Sequence, residues 1–550
     1  MKLCELINRD IDCVCGKTHR CDIKTVRIEK GALTALPEDT AGYKRILLVA
    51  DENTYAVCGE RVKRLLGDRI ESVCIHTGAD VLVPDEMSIE KMQSMLTDRT
   101  DLVLGIGSGV INDLCKYVSF NAGIGCGIVA TATSMDGYAS SGAAMIIGGM
   151  KVTYTTHAPS MIIADTDILC AAPAEMIRSG YADIIGKYSA LCDWRLSEAV
   201  NGEYLCPYIY DAVMDMTNEI RDLRHAIAAR ETAAIERLME ALVLIGVCLT
   251  LISTTRPGSG SEHHLSHYFE ITGLIENKPY FLHGTDVGYA TVVTAAIRER
   301  IRTVSRPSFV TLSDSTRYAC YKKIYGEVGE EVWKLQAEAG RYASQPFGVY
   351  EEKWDEILKI LAACPTADEI TKMLTDAGFD MSAFEKQYGE KKIRNGIWFG
   401  KDLKDRYSVL WLYGALYLNE KEAKRIMKEN TFDFMKGSVA AERMALDALY
   451  ETMDKDSFCR ALEILLSSDM TVLSACGSSG FATKKFAHSL CCVECPAKFV
   501  PPSEAVHGGM GALKKGNALI LVSKGGKTEE LLPLVDIAKN KQCPIIAVTA

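Results

Sequence analysis

The sequence predicts three domains in order along the chain: an α/β nucleotide-binding domain, an all-α domain and a second α/β domain. Short strand-like apolar runs alternate with helix-like segments near both ends, and helix-forming residues dominate the middle. The 550 residues also exceed what one hydrophobic core holds, because domains typically span roughly 100–200 residues. We expect the domains to cover 1–168, 169–430 and 431–550.

The first domain is predicted from short apolar runs that alternate with helix-like segments. This alternation is typical of a parallel sheet with crossover helices, and such sheets bind ligands beyond the carboxyl ends of their strands. We therefore expect a nucleotide-binding domain. The strand-like runs are RILLVA (45–50), SVCI (72–75), DLVLGIG (101–107), CGIVA (126–130) and MIIAD (161–165).

The middle domain is predicted to be all-α because strand-like runs are few. Its longest apolar run, ALVLIGVCLTLIS at 241–253, is shorter than the roughly 20 residues that cross a bilayer. We expect a buried helix there and no membrane span.

The third domain has strand-like runs again and resembles the first in its α/β texture. The last run reaches Ala550 and would leave a parallel edge strand uncovered, so we expect the domain to be incomplete at its C-terminus. The runs are TVLSAC (471–476), AKFV (497–500), ALILVS (518–523) and PIIAVT (544–549).

The composition excludes several classes of protein. Hydrophobic residues make up 48% of the chain and charged residues 24%, as in ordinary globular proteins. Lys and Arg number 62 against 72 Asp and Glu, and no long basic block is present, so we expect no nucleic-acid partner. The 20 cysteines and the lack of a visible signal peptide predict reduced thiols in a cytoplasmic protein.

Two loops at consecutive strand ends are candidates for binding a dinucleotide. Gly105, Gly107 and Gly109 precede a predicted helix whose N-terminus suits a diphosphate. Asn112 takes the place of the third glycine of G-x-G-x-x-G, and a tight turn without a ligand explains this loop equally well. The hydroxyl-rich loop TATSMDGYASS (131–141) follows the next strand, and two such loops favour a cofactor site at the sheet crevice.

Histidine clusters in one part of the predicted helical domain, although the chain contains only ten histidines. The motif SEHHLSH contains three, and His283 follows in FLHG. On a helix, His263 and His267 share a face, whereas His264 points roughly 100° away. Asp183, in another predicted helix, could add a carboxylate to form an oxygen and nitrogen set suited to a divalent metal.

A second cluster, CVCGKTHRC, lies near the N-terminus. It contains Cys13, Cys15, His19 and Cys21. Its spacing matches no familiar zinc pattern and no second C-x-x-C pair accompanies it, so the residues favour a structural role without metal.

Six motifs in order along the chain point to one family. They are GSGVINDLCKY, TATSMDGYASS, ADTDILCAAP, GYADIIGKYSALCDW, GSEHHLSH and LHG. In this order they closely resemble the sn-glycerol-1-phosphate dehydrogenases, within the metal-dependent polyol dehydrogenases that include glycerol dehydrogenase and dehydroquinate synthase. The resemblance covers about 1–430. It implies NAD or NADP as the cofactor and one divalent metal, either zinc, nickel or iron.

The resemblance also implies roles for individual residues. Asp136, Asp183 and His267 would contact substrate, with Asp183 and His267 in catalytic roles. His264, adjacent to an implied ligand, leaves the ligand assignment open by one position. The implied metal ligands are Asp183, His263 and His283, and the implied cofactor contacts are Gly107, Ser108, Gly109, Val110, Ile111, Thr131, Ala132, Thr133, Ser134 and Ser140.

The chemistry expected of such a site is ketone reduction. The metal would polarise the C2 carbonyl of dihydroxyacetone phosphate while the reduced nicotinamide delivers hydride, which yields sn-glycerol 1-phosphate. His267 could orient the substrate or relay a proton. Asp51, at a strand end, is a candidate acceptor for an adenosine ribose, although aspartate after a strand is also a common cap.

The third domain resembles a SIS domain of the arabinose-5-phosphate isomerase kind. Its motifs are CGSSGFATKKFAHSL, PPSEAVHGGMGALKKG and SKGGKTEELL. The isomerases carry a lysine in the first loop, where this chain has GSSG, and a serine-rich second loop, so sugar-phosphate binding is favoured over isomerisation. The phosphate-binding candidates are Ser478, Ser479, Ser523 and Thr528, and the acid/base candidates are Glu504 and His507.

The leading hypothesis is thus a metal-dependent NAD(P)-linked reductase of a small phosphorylated ketose, fused to a domain that binds or isomerises a sugar phosphate. One alternative keeps the fold but changes the substrate to a longer sugar or polyol phosphate. Another makes the SIS domain a sensor that regulates the dehydrogenase. We also expect a homo-oligomer.

Overall fold

The computed structural model of the protein describes residues 3–78, 82–148, 150–452 and 454–549. The chain forms two compact units, Met1–Phe432 and Asp433–Ala550. The predicted boundary between residues 168 and 169 falls inside the first unit and stays a prediction. Among the described residues, no helix has both the length and the apolar character needed to cross a membrane.

A six-stranded parallel sheet organises the first unit. The strands of this sheet and of two hairpins are β1 Arg9–Asp12, β2 Thr18–Cys21, β3 Thr25–Glu29, β4 Ile46–Asp51, β5 Ile70–His76, β6 Leu102–Gly107, β7 Gly125–Ala130, β8 Gly142–Ile147, β9 Met150–Thr155 and β10 Met161–Asp165. The sheet order is β3-β10-β7-β6-β4-β5 with parallel pairing throughout. All the strands predicted for the first domain are present, which confirms its α/β class.

Sequence reasoning missed β3 and both hairpins. β3 reads TVRIE and is half-buried to exposed along its length, so it lacks the continuous apolar run of a central strand. It forms an edge of the sheet beside β10. The hairpin β1–β2 also lacks an apolar run. It lies outside the six-stranded sheet, and among the described strands β1 and β2 pair only with each other.

Helices form the rest of the first unit, as predicted for its middle part. Residues of α11 such as Leu242, Ile245 and Cys248 are fully buried, which confirms the buried helix expected from the apolar run at 241–253. The helices are α1 Leu36–Asp39, α2 Glu52–Thr54, α3 Glu60–Leu66, α4 Glu86–Gln93, α5 Gly109–Ala122, α6 Thr166–Ala171, α7 Ala174–Ile185, α8 Lys187–Asn201, α9 Pro207–Asp222, α10 Arg224–Ala228, α11 Thr232–Ile252, α12 Ser261–Glu276, α13 His283–Arg302, α14 Asp314–Tyr325, α15 Gly329–Ala339, α16 Phe347–Glu352, α17 Trp354–Ala362, α18 Ala367–Asp376, α19 Ser382–Phe399 and α20 Val409–Tyr417. Helix α21, Glu420–Thr452, begins in the first unit and ends in the second.

The second unit contains a four-stranded parallel sheet. Its elements are α22 Lys455–Ser467, β11 Thr471–Ala475, α23 Gly477–Cys492, β12 Ala497–Phe499, α24 Pro502–Val506, β13 Ala518–Val522, α25 Leu532–Asn540 and β14 Ile545–Val548. The strand order is β12-β11-β13-β14. Val472 and Leu519 pack on one face, and Leu473 and Ile520 on the other, because successive strand residues point to opposite faces. The predicted second α/β domain is confirmed.

Candidate active site

Two neighbouring strands place the predicted cofactor loops side by side. β6 and β7 pair in a parallel register that ends with Gly107 opposite Ala130. The loops that follow these strands therefore begin at the same edge of the sheet. Doubly wound sheets bind their ligands at this carboxyl edge.

The glycine loop passes directly from β6 into α5, with Ser108 as the residue before the helix and Gly109 as its first residue. At Gly107 a Cβ atom would lie 2.7 Å from Cβ of Ile111, so the turn is too tight for a side chain. The first N–H groups of α5 have no partner within the helix and suit a diphosphate. Gly109 and Val110 line a cavity of about 260 Å³, whereas Ile111 is buried.

Helix α5 also holds the second loop, 131–141, in place. The Asn112 amide donates to the carbonyl oxygen of Gly137 at 3.2 Å. The buried Lys116 ammonium donates to the same carbonyl at 3.1 Å and to the Ser140 hydroxyl at 3.3 Å. Sequence reasoning missed both residues, and the available signal was that Asn112 replaces a glycine of the dinucleotide pattern.

The first part of this loop, residues 131–134, packs against helix α7. At Gly180 of α7, a Cβ atom would come within 1.9 Å of the Thr133 carbonyl oxygen. The Ser179 hydroxyl donates to the Ser134 carbonyl oxygen at 3.0 Å. The predicted cofactor contacts Thr131, Ala132, Thr133 and Ser134 are buried, and the cavity wall is formed by the following residues Met135, Asp136, Gly137 and Ser140.

Three helices bring Asp183, His263 and His283 together. Asp183 lies in α7, His263 in α12, and His283 is the first residue of α13. One ligand atom from each lies within 4.8 Å of the other two, and Asp183 Oδ1 is 3.7 Å from His263 Nε2. The imidazole rings of His263 and His283 have centroids 5.0 Å apart. One carboxylate and two imidazoles form a donor set that first-row divalent metals bind.

Hydrogen bonds at Nδ1 orient both imidazoles. His263 Nδ1 lies 2.7 Å from the buried carboxylate of Glu262, which accepts a hydrogen bond from the Nδ1–H group. His283 Nδ1 lies 3.2 Å from the Ser266 hydroxyl, which also lies 3.3 Å from the His283 carbonyl oxygen. With Nδ1 of His263 as the donor to Glu262, Nε2 is the unprotonated nitrogen of that ring, the form that binds a metal. Sequence reasoning missed Glu262 and Ser266, which lie between the histidines of the motif.

His264 points away from this cluster, as the helical spacing predicts. Its ring lies 3.4 Å from the Ser408 hydroxyl and is fully buried. Burial, with nearby cationic side chains, lowers the pKa of His264 well below its ordinary value, so the ring is neutral. The sequence left open whether His263 or the adjacent His264 is the ligand. In the fold, His263 is the one that lies next to Asp183.

Lys187 joins the buried carboxylate of Asp183 to the half-buried carboxylate of Asp136. Its ammonium lies 2.8 Å from Asp183 Oδ1 and 2.6 Å from Asp136 Oδ2. Burial and the neighbouring Asp136 carboxylate raise the pKa of Asp183 to about 7. Although burial opposes it, the two carboxylates raise the pKa of Lys187, so the ammonium stays charged. Two carboxylates beside one ammonium leave negative charge that favours a bound cation.

The predicted substrate residues Asp136 and His267 line the same cavity. The His267 ring centroid is 5.5 Å from that of His283, and the backbone N–H of Asp136 donates to Asp183 Oδ2 at 3.0 Å. Lys404 also lines the cavity. Sequence reasoning missed Lys404, because nothing in the segment KDLKDR distinguishes it from a solvent-exposed lysine.

Asp51 acts as a helix cap. Its carboxylate accepts from the backbone N–H of Thr54 at 2.8 Å, and the Thr54 hydroxyl accepts in return from the Asp51 N–H. This is the cap interpretation that the sequence left open beside ribose binding. The carboxylate is thereby oriented towards the start of α2.

The second unit places its candidate residues after three neighbouring strands. Ser478 and Ser479 lie in the first turn of α23, after β11, and Ser523 and Thr528 follow β13 with their hydroxyl oxygens 2.8 Å apart. Glu504 lies in α24 and His507 directly after it, and both side chains are exposed. Since β12, β11 and β13 are adjacent and parallel, these segments share one edge of the sheet.

Comparison with known proteins shows several similar chains. A glycerol-1-phosphate dehydrogenase [NAD(P)+] of Halalkalibacterium halodurans is 36% identical over 293 residues, which are 52% of this chain and 73% of that protein. The corresponding protein of Bacillus licheniformis is 33% identical over the same shares. That of Methanoregula boonei is 31% identical over 50% of this chain and 77% of its own length.

Two family models match separate parts of the chain. The model of the iron-containing alcohol dehydrogenases matches 27–173, and that of the SIS domain matches 464–550. Among solved structures, a glycerol dehydrogenase of Schizosaccharomyces pombe is similar, with 18% identity and a TM-score of 0.43 over 67% of this chain and 92% of that chain.

Proposed function

The chain belongs to the glycerol-1-phosphate dehydrogenase family, and from this premise we propose that it interconverts dihydroxyacetone phosphate and sn-glycerol 1-phosphate with an NAD(P) cofactor. One observation carries the proposal. The ligand atoms of Asp183, His263 and His283 converge beside a cavity of about 260 Å³ that residues of both cofactor loops also line. Metal and cofactor contacts thus open into one space, as hydride transfer to a carbonyl requires.

The residues present fit a divalent metal. Glu262 holds His263 in the tautomer that leaves Nε2 free to bind a metal, Ser266 contacts Nδ1 of His283, and the buried carboxylate of Asp183 completes the set. A metal held by Asp183, His263 and His283 would supply an electrophile for the ketone oxygen of the substrate. Zinc, nickel and iron all accept this donor set.

The dinucleotide is proposed to bind at the sheet edge. The N-terminus of α5 and the glycines before it offer backbone N–H groups to the diphosphate. Asn112 and Lys116 keep the second loop beside the helix, so Gly137 and Ser140 stay on the cavity wall. The buried Lys116 carries structural hydrogen bonds here and acts on the cofactor through the loop.

Two further side chains act on the substrate in this proposal. His267 lies on the cavity wall beside the metal-binding histidines and donates a proton to the oxygen that becomes the alcohol. Lys404 lines the same cavity and is proposed to bind the substrate phosphate. A phosphate contact of this kind orients the ketone and separates phosphorylated from unphosphorylated substrates.

The test is nicotinamide absorbance with a panel of ketose phosphates and Lys404→Met. A charged hydrogen bond contributes about 1.5–3 kcal/mol, so kcat/KM for dihydroxyacetone phosphate should fall about 10- to 100-fold. The rate with unphosphorylated dihydroxyacetone should change little. Lys359→Met, at an exposed lysine of α17, serves as the matched control.

The panel also decides between substrates. Turnover of dihydroxyacetone phosphate above longer ketose phosphates supports the proposal, and a reversed preference replaces the substrate with a longer sugar phosphate. If no ketose phosphate oxidises the reduced cofactor in the metal-loaded protein, the proposed reaction is wrong.

For the second unit, we propose that the SIS domain binds a sugar phosphate at the strand edge that carries Ser478, Ser523 and Thr528. The match to the SIS model over 464–550 and the hydroxyl pair of Ser523 and Thr528 support this proposal. The exposed Glu504 and His507 stay the acid/base candidates for an isomerase activity.

A further inference from the structure

Three cysteines and one histidine meet at a second cluster, apart from the ligand set of the candidate active site. Cys13, Cys15 and His19 come from the hairpin β1–β2 and its turn, and Cys206 is the residue before α9. One ligand atom from each lies within 4.8 Å of all the others. His19 and Cys206 are buried, and Cys13 and Cys15 are half-buried.

We propose that Cys13, Cys15, His19 and Cys206 bind one zinc ion in a closed, structural site. Four protein ligands with three thiolates and one imidazole are a set that structural zinc takes, with no position left for substrate. Thiolates also select against magnesium and calcium, which prefer oxygen ligands.

The distances within the cluster fit a tetrahedral zinc. With Zn–S near 2.3 Å and Zn–N near 2.0–2.1 Å, tetrahedral angles place two sulfurs about 3.8 Å apart and sulfur and nitrogen about 3.6 Å apart. The Cys13 and Cys206 sulfurs are 3.6 Å apart. His19 Nε2 lies 3.3 Å from the Cys15 sulfur and 3.6 Å from that of Cys206. The protein thus holds the four donors close to the spacing that the ion imposes.

The histidine is held in the tautomer that binds a metal. His19 Nδ1 lies 2.8 Å from the carbonyl oxygen of Leu251, at the end of α11. A carbonyl oxygen can only accept, so Nδ1 carries the proton and Nε2 presents its lone pair to the three sulfurs. Structural and catalytic zinc histidines use this same backbone contact.

Hydrogen-bond donors surround the sulfurs. The Tyr204 hydroxyl donates to the Cys15 sulfur at 3.0 Å. Backbone N–H groups of Lys17 and Ile209 bond to the sulfurs of Cys15 and Cys206. The Lys17 ammonium lies 3.5 Å from the centre of the Tyr204 ring. Because zinc with three thiolates has a net charge of −1, these donors and this ammonium stabilise the loaded site.

The hairpin turn directs two cysteines to one point. The N–H of Cys13 donates to the Lys17 carbonyl oxygen at 3.1 Å, and the N–H of Gly16 donates to the Cys13 carbonyl oxygen at 2.9 Å. Gly16 has φ +83°, and a Cβ there would meet no atom within 4 Å, so conformation rather than space requires glycine. The chain reverses direction between Cys13 and His19, and this reversal places the side chains of both residues close to that of Cys15.

Cys206 replaces Cys21, the fourth residue of the sequence cluster. His19 and Cys21 share a face of β2, and residues two apart on a strand lie roughly 6–7 Å apart. Cys21 is therefore one step too far along the strand and is buried in the core. No pattern in the sequence connects residue 206 to the hairpin, so the site has no sequence signature of the C-x-x-C kind.

The test uses the full chain in the His263→Ala background, which removes a ligand of the candidate active site. We expect one equivalent of zinc by elemental analysis. Replacement with cobalt(II) should produce thiolate-to-metal charge-transfer absorption, which an aspartate and histidine site cannot produce. Cys206→Ser and Cys15→Ser should each lose the zinc and this absorption. Cys4→Ser, at an exposed cysteine of the same segment, should retain both.

A thiol assay keeps the proposal testable if the variants do not fold. In the otherwise native chain, thiol reagents should label Cys13 and Cys15 slowly until a strong chelator is added, because zinc-bound thiolates are protected. Cobalt-loaded protein without thiolate absorption would overturn the proposal. So would a Cys13–Cys206 disulfide found by mass spectrometry of protein purified under reducing conditions, or labelling that the chelator does not change.

Discussion

At the scale of single residues, the candidate active site depends on contacts that decide which atom of each side chain faces the cavity. Glu262 and Ser266 lie within hydrogen-bonding distance of Nδ1 of His263 and Nδ1 of His283. Lys187 forms ion pairs with the carboxylates of Asp136 and Asp183. None of these partners needs to touch substrate. Glu262 thereby fixes the tautomer of His263, and Lys187 offsets part of the carboxylate charge, before a ligand arrives.

Removing one histidine should remove the active-site metal. His263→Ala is expected to lose one equivalent of divalent metal per chain and to lower kcat at least about 100-fold, since loss of an outer partner alone costs about 10- to 100-fold. Elemental analysis and nicotinamide absorbance measure the two effects. His225→Ala, at an exposed histidine of α10, should keep metal and rate. Full activity in His263→Ala would disprove the ligand assignment.

His157 should make stability depend on pH. Burial and the nearby Lys116 ammonium lower the pKa of His157 below its ordinary 6.5. The folded state therefore resists protonation of His157. The contribution of the neutral ring to the free energy of unfolding is complete above about pH 6.5 and is lost as pH falls through the lowered pKa. Native protein should lose more unfolding free energy than His157→Gln between pH 7 and pH 5, measured by urea denaturation. Parallel pH curves for the two proteins would contradict this assignment.

At the scale of elements, close helix packing positions the second cofactor loop. Gly180 of α7 lies against the Thr133 carbonyl, and at Gly246 of α11 a Cβ would lie 2.8 Å from the Ala139 backbone nitrogen. Helices α7 and α11 thus pack against the loop, and Lys116 of α5 donates a hydrogen bond to it. Predicted contacts at Thr131 to Ser134 are buried because the helices cover that part of the loop.

A methyl group at residue 180 should displace this loop. Gly180→Ala brings Cβ within 1.9 Å of a backbone oxygen, so relief requires movement of main chain rather than a side chain. We expect a loss of about 3 kcal/mol or more in unfolding free energy and weaker cofactor binding. Gly348→Ala, where a Cβ meets nothing within 4 Å in helix α16, should instead stabilise by about 0.4–1 kcal/mol. Equal stabilities of the two variants would refute the packing argument.

At the scale of the whole molecule, one chain contains two compact units with different proposed ligands. The first unit contains the candidate metal and cofactor residues, and the second contains the SIS match. A fusion of this kind is consistent with two independent activities, or with regulation of one unit's activity by the ligand of the other. The two cases differ in whether a ligand bound to one unit changes the activity of the other. Regulation requires that a sugar phosphate change the dehydrogenase rate, since coupling between sites is a difference in free energy.

Sugar-phosphate binding should stabilise the second unit. Arabinose 5-phosphate at about 100 times its Kd should add about 2.7 kcal/mol to the unfolding free energy of that unit. Ser523→Ala should reduce the shift, and Ser489→Ala, at an exposed serine of α23, should keep it. Absence of any shift across a panel of sugar phosphates would refute binding. An unchanged dehydrogenase rate at saturation would refute regulation while leaving binding intact.

The sequence by itself located every strand of the two parallel sheets except β3, and it identified some of the residues of each site. Apolar runs located the strands, the helical period put His263 and His267 on one face, and glycines marked the turn after β6, because each of these signals lies within a few consecutive residues. Tertiary structure decided the partners. Lys404 reaches the cavity and Cys206 reaches the hairpin from distant segments, and sequence spacing carries no information on such contacts. Only folding brings them there, because the packing of whole elements sets which distant side chains meet.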